Sequence, residues 1–139
     1  MNARISTPWI ALAAVLLSAC GGTDTPEPVP VLCTNLSIDT VIPAIPLVSV
    51  TGWNVTYAVT ATTGASVTSI QYRDSMGALT YTASPTLPFS YAMSAMPTGT
   101  PVTLVVVGTA KGSKIETAVT AVAANNPAVS QTWTRSCAQ

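Results

Sequence analysis

Past the proline-rich segment near its start, the chain offers three carboxylates for acid–base chemistry: Asp39, Asp74 and Glu116. Each stands alone in sequence. A glycosidase-like hydrolase needs two such groups side by side, and nothing in this spacing asks for it. Arg73-Asp74, next to Ser75-Met76-Gly77, reads as a solvated turn pair. The chain has no histidine, which removes the commonest general base and a frequent metal ligand. Ser-His-Asp and Cys-His machinery are thereby excluded. Cysteines without histidine supply too few ligands for a zinc site, and no calcium loop or glycine-rich phosphate loop is present. The expectation is a non-enzymatic protein with no catalytic residue, no metal and no cofactor.

The aromatic residues are the other candidates. Tyr57, Tyr72, Tyr81, Tyr91 and Trp133 fall on alternating segments and read as fillers of a core, whereas Trp53 follows Gly52 in a turn. Trp53 is therefore the candidate ligand-binding residue. An exposed indole there could stack on sugar rings, making a carbohydrate- or peptidoglycan-binding module the alternative to a protein-binding one. Only 7% of residues are charged, against about 25% in an average soluble protein. Without Arg4, four cations (Arg73, Lys111, Lys114, Arg135) face five anions (Asp24, Glu27, Asp39, Asp74, Glu116). Nucleic-acid binding relies on clustered Lys and Arg that release counterions, and the chain has no such cluster. Polarity comes from Ser and Thr instead.

Residues 1–19 have the anatomy of a signal peptide: one cation, Arg4, then an apolar run from Pro8 to Leu17. That run is short for a spanning helix, which takes about twenty apolar residues. It ends in Leu17-Ser18-Ala19-Cys20, which resembles the lipobox of bacterial lipoproteins. The resemblance implies cleavage before Cys20, a diacylglycerol thioether (with acyl groups such as palmitate) on its sulfur, and attachment to a membrane without crossing it, since two or three chains anchor persistently. Gly21, where an Asp would resemble an inner-membrane retention signal, favours the outer membrane.

With Cys20 lipidated, the odd cysteine count is resolved. Cys33 and Cys137 remain in a compartment where disulfides persist. They are expected to pair, the alternative being two buried free thiols. Residues 20–32 carry Pro26, Pro28 and Pro30 and are expected to form an extended tether. Residues 33–139 form one domain, the 120 or so residues after cleavage being too few for two.

From Leu36 onward hydrophobicity alternates with period two, the signature of half-buried strands. Strands are expected at Leu36–Val41, around Val55–Ala61, at Val67–Arg73, around Leu79–Tyr81 and Leu87–Met93, at Val102–Val107 and Ile115–Ala123, and at Val129–Cys137. Val129, Trp133 and Cys137 share a side. The turn at Lys111-Gly112-Ser113 marks the clearest hairpin. Seven or eight short strands with regular turns imply an all-β fold, a single antiparallel β-sandwich. The arrangement resembles the immunoglobulin-like and fibronectin-III-like domains of bacterial surface proteins. In such a setting the module is expected to bind a protein partner in the envelope or in adhesion.

Overall fold

The computed structural model describes residues 25–45 and 50–139. The signal peptide, Cys20 and the first part of the tether lie outside the described residues. Eight strands are among the described residues: β1 (Val31–Val41), β2 (Trp53–Ala61), β3 (Ser66–Arg73), β4 (Leu79–Ala83), β5 (Phe89–Met96), β6 (Pro101–Ala110), β7 (Lys114–Ala123) and β8 (Asn126–Ala138). Every paired strand is antiparallel. Sheet I runs β1-β6-β3-β4 and sheet II runs β5-β2-β7-β8. Among the described residues no helix is long and apolar enough to cross a membrane.

Period-two patterning builds the core directly. Trp53, Val55, Tyr57 and Val59 of β2, with Ile115, Val119 and Ala121 of β7, form the inner face of sheet II. Leu36 and Ile38 of β1, Val102, Leu104 and Val106 of β6, and Ile70 and Tyr72 of β3 form that of sheet I. β6 lies between β1 and β3. Its outer residues Val105 and Val107 are therefore half-covered by neighbours, which is why its sequence is apolar on both faces.

Two expectations are corrected. β6 and β7 do not form a hairpin: β6 belongs to sheet I and β7 to sheet II. Both strands have inner faces that are apolar except for Thr117 of β7, and stacking them across the core buries both. The connection is an arch in which the Lys111 N–H donates to Ser113 Oγ at 2.8 Å and Gly112 takes a φ of +55°. Close to the arch Gly108 leaves no room for a Cβ: one there would come within 2.4 Å of the Ser66 carbonyl oxygen on the neighbouring strand of its own sheet and 2.7 Å of Ile115 Cδ1 on the opposite sheet, so glycine lets the sheets approach here. The hairpins are β3–β4 and β7–β8. The second correction is that β1 begins at Val31, not Leu36, because it continues along β6 to Ala110 through an irregularity between Cys33 and Leu36. On β8 the half-buried residues are Val129, Trp133 and Cys137, the three expected to share a side.

Cys33 and Cys137 form a disulfide with Cα atoms 5.9 Å apart. It bridges the outermost strand of sheet I to the outermost strand of sheet II. The two cysteines are 104 residues apart, and closing a loop of that size restricts the unfolded chain by about 4–5 kcal/mol in the entropy model. Reduction, or replacement of both cysteines by serine, is expected to cost about 3–5 kcal/mol of stability, read as a lowered denaturant midpoint in chemical unfolding monitored by circular dichroism.

Candidate functional site

Antiparallel pairing gives the sandwich two poles. The tether enters at one, where Val31 meets Ala110 and Lys114 meets Ala138. Glu27 pairs with Lys111, and Pro28 sits where a Cβ on Gly112 would touch it at 3.1 Å. The chain end joins the same pole, with the Gln139 N–H donating to the Ser113 carbonyl at 3.2 Å. The far pole carries the turn from Asp74 to Ala78, the turn from Pro97 to Thr100 and the start of β2.

Exposed apolar side chains gather where the far pole meets the outer face of sheet I. Val41 is 55% exposed, Leu79 51%, Tyr81 65% and Met76 88%. Strand register shows why these residues face out together. Asp39 is opposite Thr103 and Val41 opposite Pro101; Arg73 is opposite Leu79 and Gln71 opposite Tyr81; Gln71 is also opposite Val105. Tyr81, Gln71, Val105 and Ser37 thus form one row across the face, and Leu79, Arg73, Thr103 and Asp39 form the next. An open groove of about 500 Å³ lies along Asp39, Thr40, Val41, Arg73 and Pro101.

Hydrogen bonds hold the polar members in place. Thr103 Oγ1 donates to Asp39 Oδ1 at 3.0 Å, and Arg73 Nη1 donates to the Gly77 carbonyl at 2.6 Å. Asp74 Oδ1 accepts from the backbone N–H groups of Met76 at 2.9 Å and Ala78 at 3.0 Å. Gly77 has a φ of +81°, a conformation that glycine adopts without steric cost. This knit turn projects Met76 into solvent. The Arg73-Asp74 pair is therefore a turn device, as its sequence context suggests.

The three carboxylates are dispersed. Asp39 is on the outer face of sheet I, and Glu116 is on the outer face of sheet II beside Lys114. Packed sheets lie about 10 Å apart, so these two outward groups exceed the roughly 5–9.5 Å of paired-carboxylate glycosidases. Asp74 is engaged by its own turn.

Trp53 is not an exposed platform. It is fully buried, and its indole N–H donates to Thr98 Oγ1 at 3.3 Å. As the first residue of β2 it continues the inward alternation of Val55, Tyr57 and Val59, which outweighs its position after Gly52. Tyr81 is the exposed aromatic on a sheet face. Its signal in the sequence is the alternation of β4, where Leu79 and Tyr81 both fall on the outer side.

Tyr57, Tyr72, Phe89 and Tyr91 fill the side of the sandwich where β4 and β5 are outermost, whereas Trp133 lies on β8 at the other edge. Ring centroids lie 4.6 Å apart for Tyr72 and Tyr91, 5.5 Å for Tyr72 and Phe89, and 5.9 Å for Tyr57 and Tyr72. The Tyr57 hydroxyl is buried without a hydrogen-bond partner among the described residues, as is Arg73 Nε. Burial pushes the Tyr57 phenol up to about 12, and the nearby Thr103 backbone and Arg73 guanidinium oppose that without cancelling it. Burial likewise raises Tyr72.

Comparison with protein-family models, with curated proteins and with solved structures returns no match.

The Tyr57 shift fixes a sign for alkaline unfolding. The folded state holds its proton to about pH 12, whereas an unfolded tyrosine releases it near 10. This contribution is fully present below pH 10 and is lost as pH rises towards 12, on the order of 2–3 kcal/mol in total. Tyr57→Phe is expected to flatten that loss. Near pH 7 it should leave stability within about 1 kcal/mol of the parent, because the removed hydroxyl has at most a weak contact with the Thr103 backbone. Denaturant titrations from pH 8 to 12 check both points.

Proposed function

We propose that the protein is a lipid-anchored component of a bacterial envelope, non-enzymatic, whose sandwich binds a protein partner as an accessory of an envelope assembly or in adhesion. In this reading Leu17-Ser18-Ala19-Cys20 is a lipobox, Cys20 carries the acyl chains, and the outer membrane is the destination. The observation that carries the proposal is the far corner of sheet I. Val41, Met76, Leu79 and Tyr81 expose apolar surface around the Asp39, Thr103 and Arg73 row, at the pole opposite the tether's entry. Exposed apolar side chains flanking polar groups that are already fixed by hydrogen bonds supply both area to bury and directed contacts, the two ingredients of a protein-binding surface. Strand β6 spans roughly 33 Å at about 3.3 Å per residue, so an anchored domain would hold this corner well clear of the bilayer.

The sandwich is proposed to be of the immunoglobulin-like kind. In such domains strands E and B are neighbours in one sheet and F, C and C′ in the other. Here β5-β2 and β6-β3-β4 have the same adjacency. β7 stands beside β2 where strand A would stand, and β1 stands beside β6 where strand G would stand, as if the chain's ends had exchanged sheets. The disulfide departs from the B–F position accordingly.

A second reading, glycan binding, rests on Tyr81. Its exposed ring lies beside Gln71, an aromatic platform with an amide at its edge.

Site-specific photocrosslinking in intact cells tests both readings. A photoreactive residue at Leu79 is expected to give one adduct of defined mass, whereas the same residue at Thr120, on the outer face of sheet II, gives none. Tyr81→Ala is expected to weaken capture by about tenfold or more, the effect of losing a central aromatic. Absence of any adduct at position 79, together with retention on purified peptidoglycan that Tyr81→Ala abolishes, would replace the first reading by the second.

A further inference from the structure

The tether pole carries exposed apolar residues of its own. Val29 is 72% exposed, Leu32 65% and Val31 40%. None of the three serves the core. Leu32 projects with Thr109 on the outer side of sheet I, while Cys33 turns inward to its disulfide. Prolines at 28 and 30 hold this short segment extended, presenting its side chains at the rim of the pole.

The segment is also held against the domain. Glu27 pairs with Lys111, both groups lying on the pole, and Pro28 lies against Gly112. The chain is thus attached to the pole from residue 27 onward. Seven positions separate Glu27 from Cys20, a reach of at most about 25 Å even when fully extended. Any anchor at Cys20 therefore keeps this pole, and not the far one, beside the lipid.

We infer that the tether pole rests on the membrane, with Val29 and Leu32 inserted at the interface between headgroups and acyl chains. This rests on the reading of Cys20 as the lipidated residue. The occupant is a lipid surface because that surface is what the anchor brings within reach of these side chains. Apolar side chains gain from burial at that depth. The charges on the pole permit the approach: Glu27 and Glu116 are each paired with a lysine, and Arg135 is a further cation at that end of β8. Among the described side chains at this pole no carboxylate is unpaired, and Asp24, between Cys20 and Glu27, is the one further acidic side chain on the approach, set against Arg135. The acyl chains and the side chains act on one rigid body. The domain is then held upright by two kinds of contact, and the Asp39, Thr103 and Arg73 row faces away from the bilayer.

The test uses the full chain made in a bacterium, extracted from its membranes and reconstituted in phosphatidylethanolamine–phosphatidylglycerol vesicles, with and without bromine on the upper acyl carbons. Intact-mass analysis reads acylation of Cys20, and flotation reads anchoring. Three variants, Val29→Trp, Leu32→Trp and Leu79→Trp, are compared with the parent, whose Trp53 and Trp133 set the background. The fluorescence added at 29 and at 32 is expected to fall at least twofold with bromine, and that added at 79 is expected not to change. Acylated, floating protein with no quenching at 29 and 32 overturns the inference and leaves the anchor reading intact, and equal quenching at 79 overturns it too. Protein that is not acylated and does not float overturns both.

Discussion

The Cys33–Cys137 bond joins the outermost strand of one sheet to the outermost strand of the other, and much of the architecture follows from that closure. A sandwich of two open sheets has two lateral seams. The disulfide closes the seam between β1 and β8 covalently. The seam between β4 and β5 is closed by packing, with Tyr72, Tyr91, Phe89 and Tyr57 in tilted ring contact. Because the domain has few charges, ion pairs add little to either seam. Its ion pairs, Lys111–Glu27 and Lys114–Glu116, are exposed, and such pairs contribute at most about 1 kcal/mol. The same bond places the beginning and the end of the domain at one pole, which gives the molecule a near and a far end relative to its tether.

Alternation in the sequence says which side chains of a strand face inward, and there it was legible. Val55, Tyr57 and Val59, the continuous apolar run of β6, and the shared side of Val129, Trp133 and Cys137 all emerge as read. Alternation says nothing about which strand becomes a neighbour. Lys111-Gly112-Ser113 is compatible with a hairpin and with an arch between sheets, because both need a tight reversal and a residue at positive φ. What decides is the partner each strand finds: β6 pairs with β1 and β3, and β7 with β2 and β8. Those pairings depend on residues tens of positions away. The cysteine pairing was legible for a different reason, since it followed from counting and compartment, not from local pattern.

Trp53 and Tyr81 show the same limit at the level of the site. Trp53 follows a glycine and reads as turn, yet it is in phase with the inward residues of β2 and becomes the largest buried side chain. Tyr81 sits on a five-residue strand too short to show its phase clearly. It becomes exposed because β4 is the outermost strand of sheet I and Thr80 and Thr82 take the inner side. Exposure of an aromatic is a property of the phase and position of its strand, and short edge strands are where composition reveals phase least.

The two outer faces differ in a way that bears on what the protein can touch. On sheet II, Thr56, Thr120 and Thr132 align across β2, β7 and β8, with Thr120 and Thr132 hydroxyls 3.2 Å apart. Ala58 and Ala118 align beside them. Short hydroxylated and methyl side chains make a low surface on which each polar group is readily satisfied by water or a neighbour, so displacing that water gains little. On sheet I the outer face mixes long and short side chains: Tyr81 and Leu79 stand above Gln71 and Arg73, and Asp39 is tied to Thr103. Long apolar side chains beside fixed polar groups offer both area to bury and directions to satisfy, the combination that makes a contact specific. One fold, built from the same alternation on both sheets, thus presents two chemically different outer faces, and the proposed binding is placed on the one with long apolar side chains. The residues that distinguish the outer face of sheet I lie towards the pole farthest from the tether.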